Sequence, residues 1–372
     1  MKELHRLTLE EKIGQLFWLG FQGPAPDVNA RAVIDTIHPG GFILSQRNIE
    51  SFDQLCALTG KLAEGNGVPA LVGIGQEGGA ADRLKQLFGP IPSVREMASE
   101  GTTSLRTLAR IIASELEVSG FNTGLSPVLD LHSPDSVMRD RSLSSNPGEV
   151  TNLGRVFVLE LAERGILSCA KHFPGMGSAL MDPHFVLPRI DKSRRSILLD
   201  DALPFLNLID DVPIMMVGHA WYPGLGTGLL EERPMPASLS PRVVGGLLRR
   251  KFGFEGVIVT DDLTLGAVHT VGLTSDIFLQ AFEAGNDMMM FSQVTPLVEH
   301  GFQSMVRAAR QSDAFRARVD LSVERILTAK QRIRTTPIRY RAQMRSRIMR
   351  QIEKLSVARR GKVARQKMGA GI

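Results

Sequence analysis

The stretch GVIVTDD, residues 256–262, decides the fold. An uninterrupted apolar run ends in two carboxylates, which is typical of a parallel strand buried on both faces. Similar β-rich runs recur along the chain. The full set is Leu16–Phe21, Gly41–Leu44, Ala70–Ile74, Thr123–Leu131, Ile166–His172, Pro213–Gly218, Gly256–Thr260 and Asp287–Phe291. Eight such runs predict a sheet whose strands are covered on both sides.

Amphipathic segments separate the apolar runs, and Asp, Ser or Thr often precedes them as a helix N-cap would. The predicted helices are Ser51–Glu64, Ser104–Val118, Pro147–Arg164, Ser196–Ile209, Pro241–Phe252, Asp276–Ala284 and Pro296–Arg310. This alternation favours an α/β fold, a single (β/α)8 TIM-type barrel over residues 1–332. A doubly wound open sheet is the alternative, although it would not naturally use eight similar units.

Charge is distributed unevenly along the 372 residues. Residues 331–372 contain 13 lysines and arginines and one acidic residue, Glu353, whereas residues 1–330 hold 31 basic and 38 acidic residues. We therefore expect an acidic barrel with a basic C-terminal extension over 333–372, helical at Arg339–Arg359. Such an extension should attract anionic surfaces, whereas the charge of the whole chain does not argue for specific nucleic-acid binding.

Several classes of protein are disfavoured by absent motifs. The N-terminus, MKELHRLTLEEK, lacks the apolar segment of a signal peptide, so a cytoplasmic location is expected. Cys56 and Cys169 lie far apart in apolar surroundings and are interpreted as buried free thiols. Because HExxH, CxxC and an N-terminal GxGxxG are missing, neither a metal nor a nucleotide cofactor is expected.

The segment AKHFPGMGSALMDPH, residues 170–184, concentrates ionisable groups after the fifth run. Lys171 and His172 end the strand, so in a barrel they would lie at the C-terminal mouth, where active sites form. A buried Lys171 needs an acceptor, either a sugar hydroxyl or a carboxylate. His184 is a candidate proton donor and acceptor, and Asp182 could orient its ring, although a surface loop histidine is the simpler interpretation.

Two adjacent carboxylates end the seventh run. Asp261 could attack an electrophilic carbon, and Asp262 suits the N-cap of a following helix. Successive strand residues point to opposite sides, so one of the pair should face the barrel interior, and the sequence leaves the choice open. His219 and Arg141 are weaker candidates. Carboxylates, imidazoles and cations without a metal motif suit glycoside chemistry better than phosphoryl transfer.

Several motifs resemble glycoside hydrolase family 3, and within it the NagZ-type β-N-acetylhexosaminidases. LLRRKFGFEGVIVTDDLT, residues 247–264, resembles the segment around the family's nucleophile, and KHFPG followed by D-x-H resembles the acid/base loop of that branch. Further similar segments extend the resemblance from about residue 6 to 332.

The resemblance implies a retaining exo-β-glycosidase, an N-acetylglucosaminidase acting on peptidoglycan fragments by double displacement. It assigns Asp261 as nucleophile and His184, paired with Asp182, as general acid/base. The residues that would bind substrate are Arg141, Lys171, His172, His219 and Arg83. A neutral imidazole would not repel an anionic acceptor, so phosphorolysis stays open beside hydrolysis.

Three positions depart from the family pattern near the expected site. Gly75 replaces an Asp, Ala80 replaces an Arg, and Met176 replaces a His. A lost charge-assisted hydrogen bond costs roughly 1.5–3 kcal/mol, so Gly75 predicts weakened or altered sugar recognition with the chemistry retained. The alternative is a non-catalytic or re-specialised sugar-binding protein descended from such an enzyme.

Overall fold

The computed structural model describes residues 4–226, 234–269, 276–334 and 341–369. Its strands are β1 Phe17–Leu19, β2 Gly41–Leu44, β3 Leu71–Ile74, β4 Thr123–Gly124, β5 Leu167–Phe173, β6 Ile214–Val217, β7 Val257–Asp262 and β8 Met288–Phe291. Each strand pairs in parallel with its neighbour in sequence, and β1 pairs with β8, so the barrel is closed. The predicted (β/α)8 barrel is confirmed, and the open sheet is excluded.

Helices surround the barrel. They are α1 Leu9–Gly14, α2 Val28–Ile37, α3 Phe52–Glu64, α4 Lys85–Phe88, α5 Val94–Ser99, α6 Thr102–Val118, α7 Pro147–Ala162, α8 Arg194–Ser196, α9 Leu203–Asn207, α10 Gly266–His269, α11 Ile277–Ala284, α12 Pro296–Gln311, α13 Asp313–Lys330 and α14 Arg341–Gly369. Segments Ile197–Asp201 and Arg242–Lys251 are π-helical, and 3-10 turns lie at Leu4–Arg6, Gln46–Asn48, Pro223–Leu225 and Ala237–Leu239. No helix of the described residues is long and apolar enough to cross a membrane.

Two predicted elements are wrong in extent. The fourth strand was expected over Thr123–Leu131 and ends at Gly124. Pro127 lies just beyond and has no N–H to donate to a sheet ladder, so only an isolated bridge between Val128 and Lys171 follows. The helix expected over Ser196–Ile209 is broken into α8, a π-helical turn and α9.

One aromatic side chain fills the barrel beside β2 and β3. Trp18 is fully buried, and a Cβ atom added at Gly73 would lie 2.8 Å from its indole. The same atom at Gly41 would lie 3.1 Å from the ring. The two glycines thus leave the space that the indole occupies, and the interior below the mouth is packed rather than open.

The basic C-terminal helix packs against the barrel. Ile348 and Ile352 are buried in the main core, and the Arg345 guanidinium donates to the Leu87 carbonyl at 2.9 Å. Arg359 pairs with two carboxylates of the α5 region. The helix predicted over Arg339–Arg359 is found from residue 341 onward; residues 339 and 340 lie outside the described residues. The domain boundary at 332 stays a prediction.

Candidate active site

A cavity of about 320 Å³ opens at the C-terminal ends of the strands. It is lined by seven of the eight residues that the sequence singled out: Arg83, Arg141, Lys171, His172, Asp182, His184 and Asp261. These residues come from positions scattered over almost 180 residues of sequence, and the closed barrel brings them together. The arrangement places carboxylates, imidazoles and cations around one space large enough for a sugar.

Glu77 joins two of the cations into one buried group, called here the Glu77 cluster (Glu77, Arg141 and Lys171). Arg141 donates to both Glu77 oxygens at 2.7 and 2.9 Å, and Lys171 Nζ lies 2.6 Å from Oε1. Burial alone would raise the pKa of Glu77, but the charges of the two cations outweigh it and hold the pKa well below its usual range. The acceptor that Lys171 requires is therefore a carboxylate of the protein.

His172 is fixed by a second buried carboxylate. Its Nδ1 lies 2.6 Å from Oδ2 of Asp130, and the other oxygen of Asp130 accepts the Met176 amide at 2.7 Å. Because Asp130 occupies Nδ1, Nε2 is the ring nitrogen available to a ligand in the cavity. The side chain of His172 is only 5% exposed, so its orientation is fixed before any ligand arrives.

Asp182 and His184 belong to the loop that follows β5, called here the β5 loop (residues 174–186). His184 Nδ1 lies 2.7 Å from Asp182 Oδ1, which also accepts the His184 amide at 2.9 Å. Burial acts to raise the pKa of Asp182, but these hydrogen bonds and the imidazole outweigh it and lower the pKa. The His184 side chain is 63% exposed and the Asp182 side chain 44%, so solvent reaches the pair.

The β5 loop rests on the start of α10. The amides of Gly266 and Ala267 donate to the carbonyls of His184 and Pro183 at 2.9 and 3.0 Å. A Cβ at Gly266 would overlap the Phe185 carbonyl and lie 2.8 Å from the His184 carbonyl oxygen. Only a residue without a side chain permits this approach, so the position of the imidazole depends on Gly266.

The carboxylates at the end of β7 are used differently. Asp262 Oδ1 accepts the Thr264 amide at 2.9 Å and the Ser292 amide at 3.0 Å, which fixes the turn after the strand. Asp261 accepts the Asp262 amide at 2.8 Å. Burial favours protonated Asp261, but two neighbouring imidazoles, this amide and Lys171 outweigh it and lower its pKa. Asp261 is thus the carboxylate left for chemistry.

Both residues of this pair line the cavity, whereas simple alternation would turn only one toward it. The register between β7 and β8 shifts between Val259 and Asp262. That irregularity interrupts the alternation at the strand end and accounts for the shared exposure.

His219 lies behind the cavity wall rather than in it. Its Nδ1 is 2.7 Å from Ser238 Oγ, and its Nε2 is 3.0 Å from the Asp262 carbonyl oxygen. Burial is the main cause that lowers the pKa of this imidazole, against the opposing charge of Asp261. With both nitrogens hydrogen-bonded to the protein, His219 supports the β7 carboxylates from behind, and it is not among the residues that line the cavity.

The three departures from the family pattern differ in position. Gly75 lies in the cavity wall, and Ala80 and Arg83 lie at its exposed rim. Met176 is fully buried and packs toward Gly218, outside the cavity lining. Gly75 and Ala80 are therefore the departures that change the surface of the cavity, Ala80 at its exposed rim, and Met176 is a core residue.

Sequence reasoning assigned no role to Glu77 or Asp130. It also missed a buried group below the third-strand loop. Gln76 Nε2 donates to Asp82 Oδ1 at 2.9 Å and to Glu115 Oε2 at 2.8 Å. The Arg83 amide donates to Gln76 Oε1 at 2.7 Å. This group fixes the loop that carries Glu77.

A closed (β/α)8 barrel with ionisable side chains around a cavity at its C-terminal mouth has the architecture of a barrel enzyme. The family profile "Glycosyl hydrolase family 3 N terminal domain" matches residues 8–329, most of the chain. The protein therefore belongs to glycosyl hydrolase family 3. Helix α14 lies beyond the matched range.

Curated relatives and solved structures agree with this assignment. The chain is 32% identical over 281 residues to a beta-hexosaminidase of Alkalilimnicola ehrlichii, covering 73% of this chain and 79% of that protein. It is 32% identical over 339 residues to beta-hexosaminidase LpqI of Mycobacterium tuberculosis, covering 87% and 83%. The structure of a family 3 beta-N-acetylglucosaminidase from Paenibacillus sp. superposes with a TM-score of 0.81 at 30% identity, covering 92% of this chain and 68% of that one.

Proposed function

We propose that the protein is a retaining exo-β-N-acetylglucosaminidase acting on GlcNAc-containing fragments of peptidoglycan. The observation that carries the proposal is that Asp261 and the Asp182–His184 pair line one cavity. Relatives named beta-hexosaminidase and beta-N-acetylglucosaminidase support the choice of sugar. The cytoplasmic location expected from the sequence belongs to the same proposal, and cell fractionation tests it.

The reaction proceeds in two displacements. The ionised Asp261 attacks the anomeric carbon, the bond to the leaving oxygen breaks, and protonated His184 gives that oxygen its proton. A covalent glycosyl ester on Asp261 results. His184, now neutral, removes a proton from water, whose oxygen attacks the anomeric carbon and displaces the Asp261 carboxylate. The lowered pKa of Asp261 keeps it ionised at neutral pH.

The remaining residues have supporting roles. Asp182 binds Nδ1 of His184, which directs Nε2 toward the glycosidic oxygen and stabilises the protonated ring. The Glu77 cluster and His172 hold donors in fixed positions for the sugar. Because these donors are buried and already oriented, binding costs little side-chain ordering.

The test is turnover of p-nitrophenyl β-N-acetylglucosaminide and of muropeptides by wild type and His184→Ala. General acid–base catalysis contributes about 10²–10⁴-fold, so His184→Ala should lose that much with poor leaving groups and much less with an activated dinitrophenyl one. Added azide should restore turnover of the activated substrate by replacing water.

No turnover of any glycoside by pure wild type would refute catalysis. Calorimetric muropeptide binding without hydrolysis would identify the sugar-binding alternative, and glycosyl phosphate formed in phosphate buffer would indicate phosphorolysis.

A second proposal concerns α14, whose outward face contacts an anionic lipid surface. Arg347, Arg350 and Lys354 recur at helical spacing and are exposed, while buried Ile348 and Ile352 hold the helix to the barrel. Each basic residue near an anionic bilayer contributes about 1 kcal/mol. Replacing the three exposed cations by Gln should weaken binding to phosphatidylserine vesicles at low salt. Unchanged binding, or binding to RNA alone, would contradict the proposal.

A further inference from the structure

Gly75 leaves a gap in the cavity wall. A Cβ atom added there would find one heavy atom within 4 Å, the Lys171 Nζ at 3.8 Å. The backbone of Gly75 has no positive φ, so the conformation does not require glycine. Space for a side chain is therefore open to the cavity, and an ammonium group faces it.

The group that faces the gap is a buried donor, and its partner among the described residues is Glu77. Lys171 is 5% exposed, and an ammonium carries three N–H groups, of which the contact with Glu77 uses one. Arg141 occupies both oxygens of the same carboxylate. Two cations thus share one anion, which leaves the Glu77 cluster with a net positive charge beside the gap.

The other charged residues of the cavity lining have both signs. Asp261 lies near enough to Lys171 for the ammonium charge to lower its pKa, and the proposed mechanism assigns this carboxylate to the anomeric carbon. Arg83, exposed at the rim, adds a further cation to the cavity lining. A carboxylate side chain at position 75 would accept hydrogen bonds from sugar hydroxyls, whereas the wall as it stands donates them.

We infer that the gap at Gly75 is a subsite for an anionic substituent, so that the enzyme takes β-glycosides whose sugar carries a carboxylate, sulfate or phosphate at the position next to Lys171. The inference rests on the proposed function and specifies its substrate class. Hydrogen bonds between an ammonium and an anionic oxygen are about twice as strong as neutral ones, so the charged substituent is preferred over a hydroxyl.

The experiment compares kcat/KM for p-nitrophenyl β-N-acetylglucosaminide, its 6-sulfate and 6-phosphate, and p-nitrophenyl β-glucuronide. Wild type should turn over at least one anionic glycoside as well as the neutral one or better. Gly75→Asp should lower the anionic-to-neutral ratio by about 10- to 100-fold, the range of a charge-assisted hydrogen bond. Gly75→Asn adds the same volume without charge and should lower it far less. The three anions distinguish which group is accepted.

Gly60→Asp on α3 is the matched control, because no described atom outside the surrounding helix backbone lies within 4 Å of a Cβ there. It should leave the ratio unchanged. Equal ratios in Gly75→Asp and Gly75→Asn would overturn the inference, as would a wild type that accepts only the neutral glycoside. That second result leaves the proposed glycosidase intact. If no glycoside is hydrolysed, the proposed function fails, and calorimetry with N-acetylglucosamine and its 6-sulfate on wild type and Gly75→Asp still decides the subsite by the same ratio.

Discussion

The Glu77 cluster and the β5 loop face the same cavity but are held in opposite ways. Lys171 and Glu77 are 5% and 4% exposed and joined by a 2.6 Å contact, whereas His184 is 63% exposed and its loop is attached through backbone hydrogen bonds to α10. A group that binds a sugar gains from being rigid and dry. A group that exchanges protons with water must remain accessible to it. In the proposed mechanism, this difference separates sugar binding from proton transfer within one site.

The strongest test of this division lies on β7, between the two parts. Asp261→Ala removes the proposed nucleophile and should lower kcat by about 10⁴-fold or more. The other carboxylates of the described cavity lining, Glu77, Asp182 and Asp262, are held by protein donors. The measurement is steady-state hydrolysis of an aryl β-N-acetylglucosaminide, together with trapping of the covalent intermediate.

Asp262→Asn is the contrasting variant, since Asp262 holds the Thr264 and Ser292 amides. Its main effect should be a loss of stability of about 1–3 kcal/mol. If Asp262→Asn abolished the trapped ester while Asp261→Ala kept it, the roles of the pair would be reversed.

The buried Glu77 cluster is tested by Glu77→Gln. The substitution keeps the shape of the side chain but leaves two buried cations without an anion, which should destabilise the protein by about 3–5 kcal/mol. Urea denaturation at neutral pH measures the change. The matched control is Glu10→Gln, which breaks the exposed Arg310–Glu10 pair and should cost 0–1 kcal/mol. Equal losses in the two variants would show that the Glu77 cluster is not a buried structural unit.

The exposed β5 loop is tested by Gly266→Ala. The added methyl group would overlap the Phe185 carbonyl, so the β5 loop and its imidazole must shift. A misplaced catalytic group costs about 10²-fold, and here the loss should grow with the basicity of the leaving group, as expected for impaired general acid catalysis. Gly60→Ala in α3 is the control, because no described atom outside the surrounding helix backbone lies within 4 Å of a Cβ there. A uniform loss for all leaving groups would indicate a different cause.

The strands and the position of the site could be predicted from the sequence, whereas the long-range partners of the site residues could not. Uninterrupted apolar runs ending in polar residues located the strands and the mouth, because burial on both faces constrains composition locally. The partners of Lys171 and His172 could not be predicted. Glu77 and Asp130 lie 94 and 42 residues away along the chain, and their contacts depend on how the strands meet in the closed barrel.

His219 and α14 illustrate the same limit. A histidine after a strand looks alike in sequence whether it faces a cavity or lies behind its wall, as His219 does. Ile348 and Ile352 stand four residues apart in α14, but the surface that they cover is formed by distant helices, including α4 and α6. The local sequence pattern predicts which residues are buried, but the tertiary structure determines which residues they pack against.

The buried Glu77 and Glu115 should affect the pH dependence of stability in opposite directions, because the pKa of Glu77 is lowered and that of Glu115 is raised. The smallest predicted effect concerns Glu115. Glu115 has no cation beside it: one oxygen accepts from Gln76, and the other has no partner among the described residues. Burial raises the pKa of Glu115 well above its ordinary value of 4.5, and Asp82 adds to the shift. A carboxyl whose pKa is raised on folding stabilises the protein below its unfolded pKa, and this contribution is lost as the pH rises through the folded pKa.

Glu115→Gln keeps the acceptor for Gln76 and removes the titration. It should change stability by less than about 1 kcal/mol at acid pH and flatten the loss of stability above pH 4.5. Urea unfolding of both proteins across this pH range measures the difference, and an identical pH slope for the two would show that Glu115 does not titrate with folding.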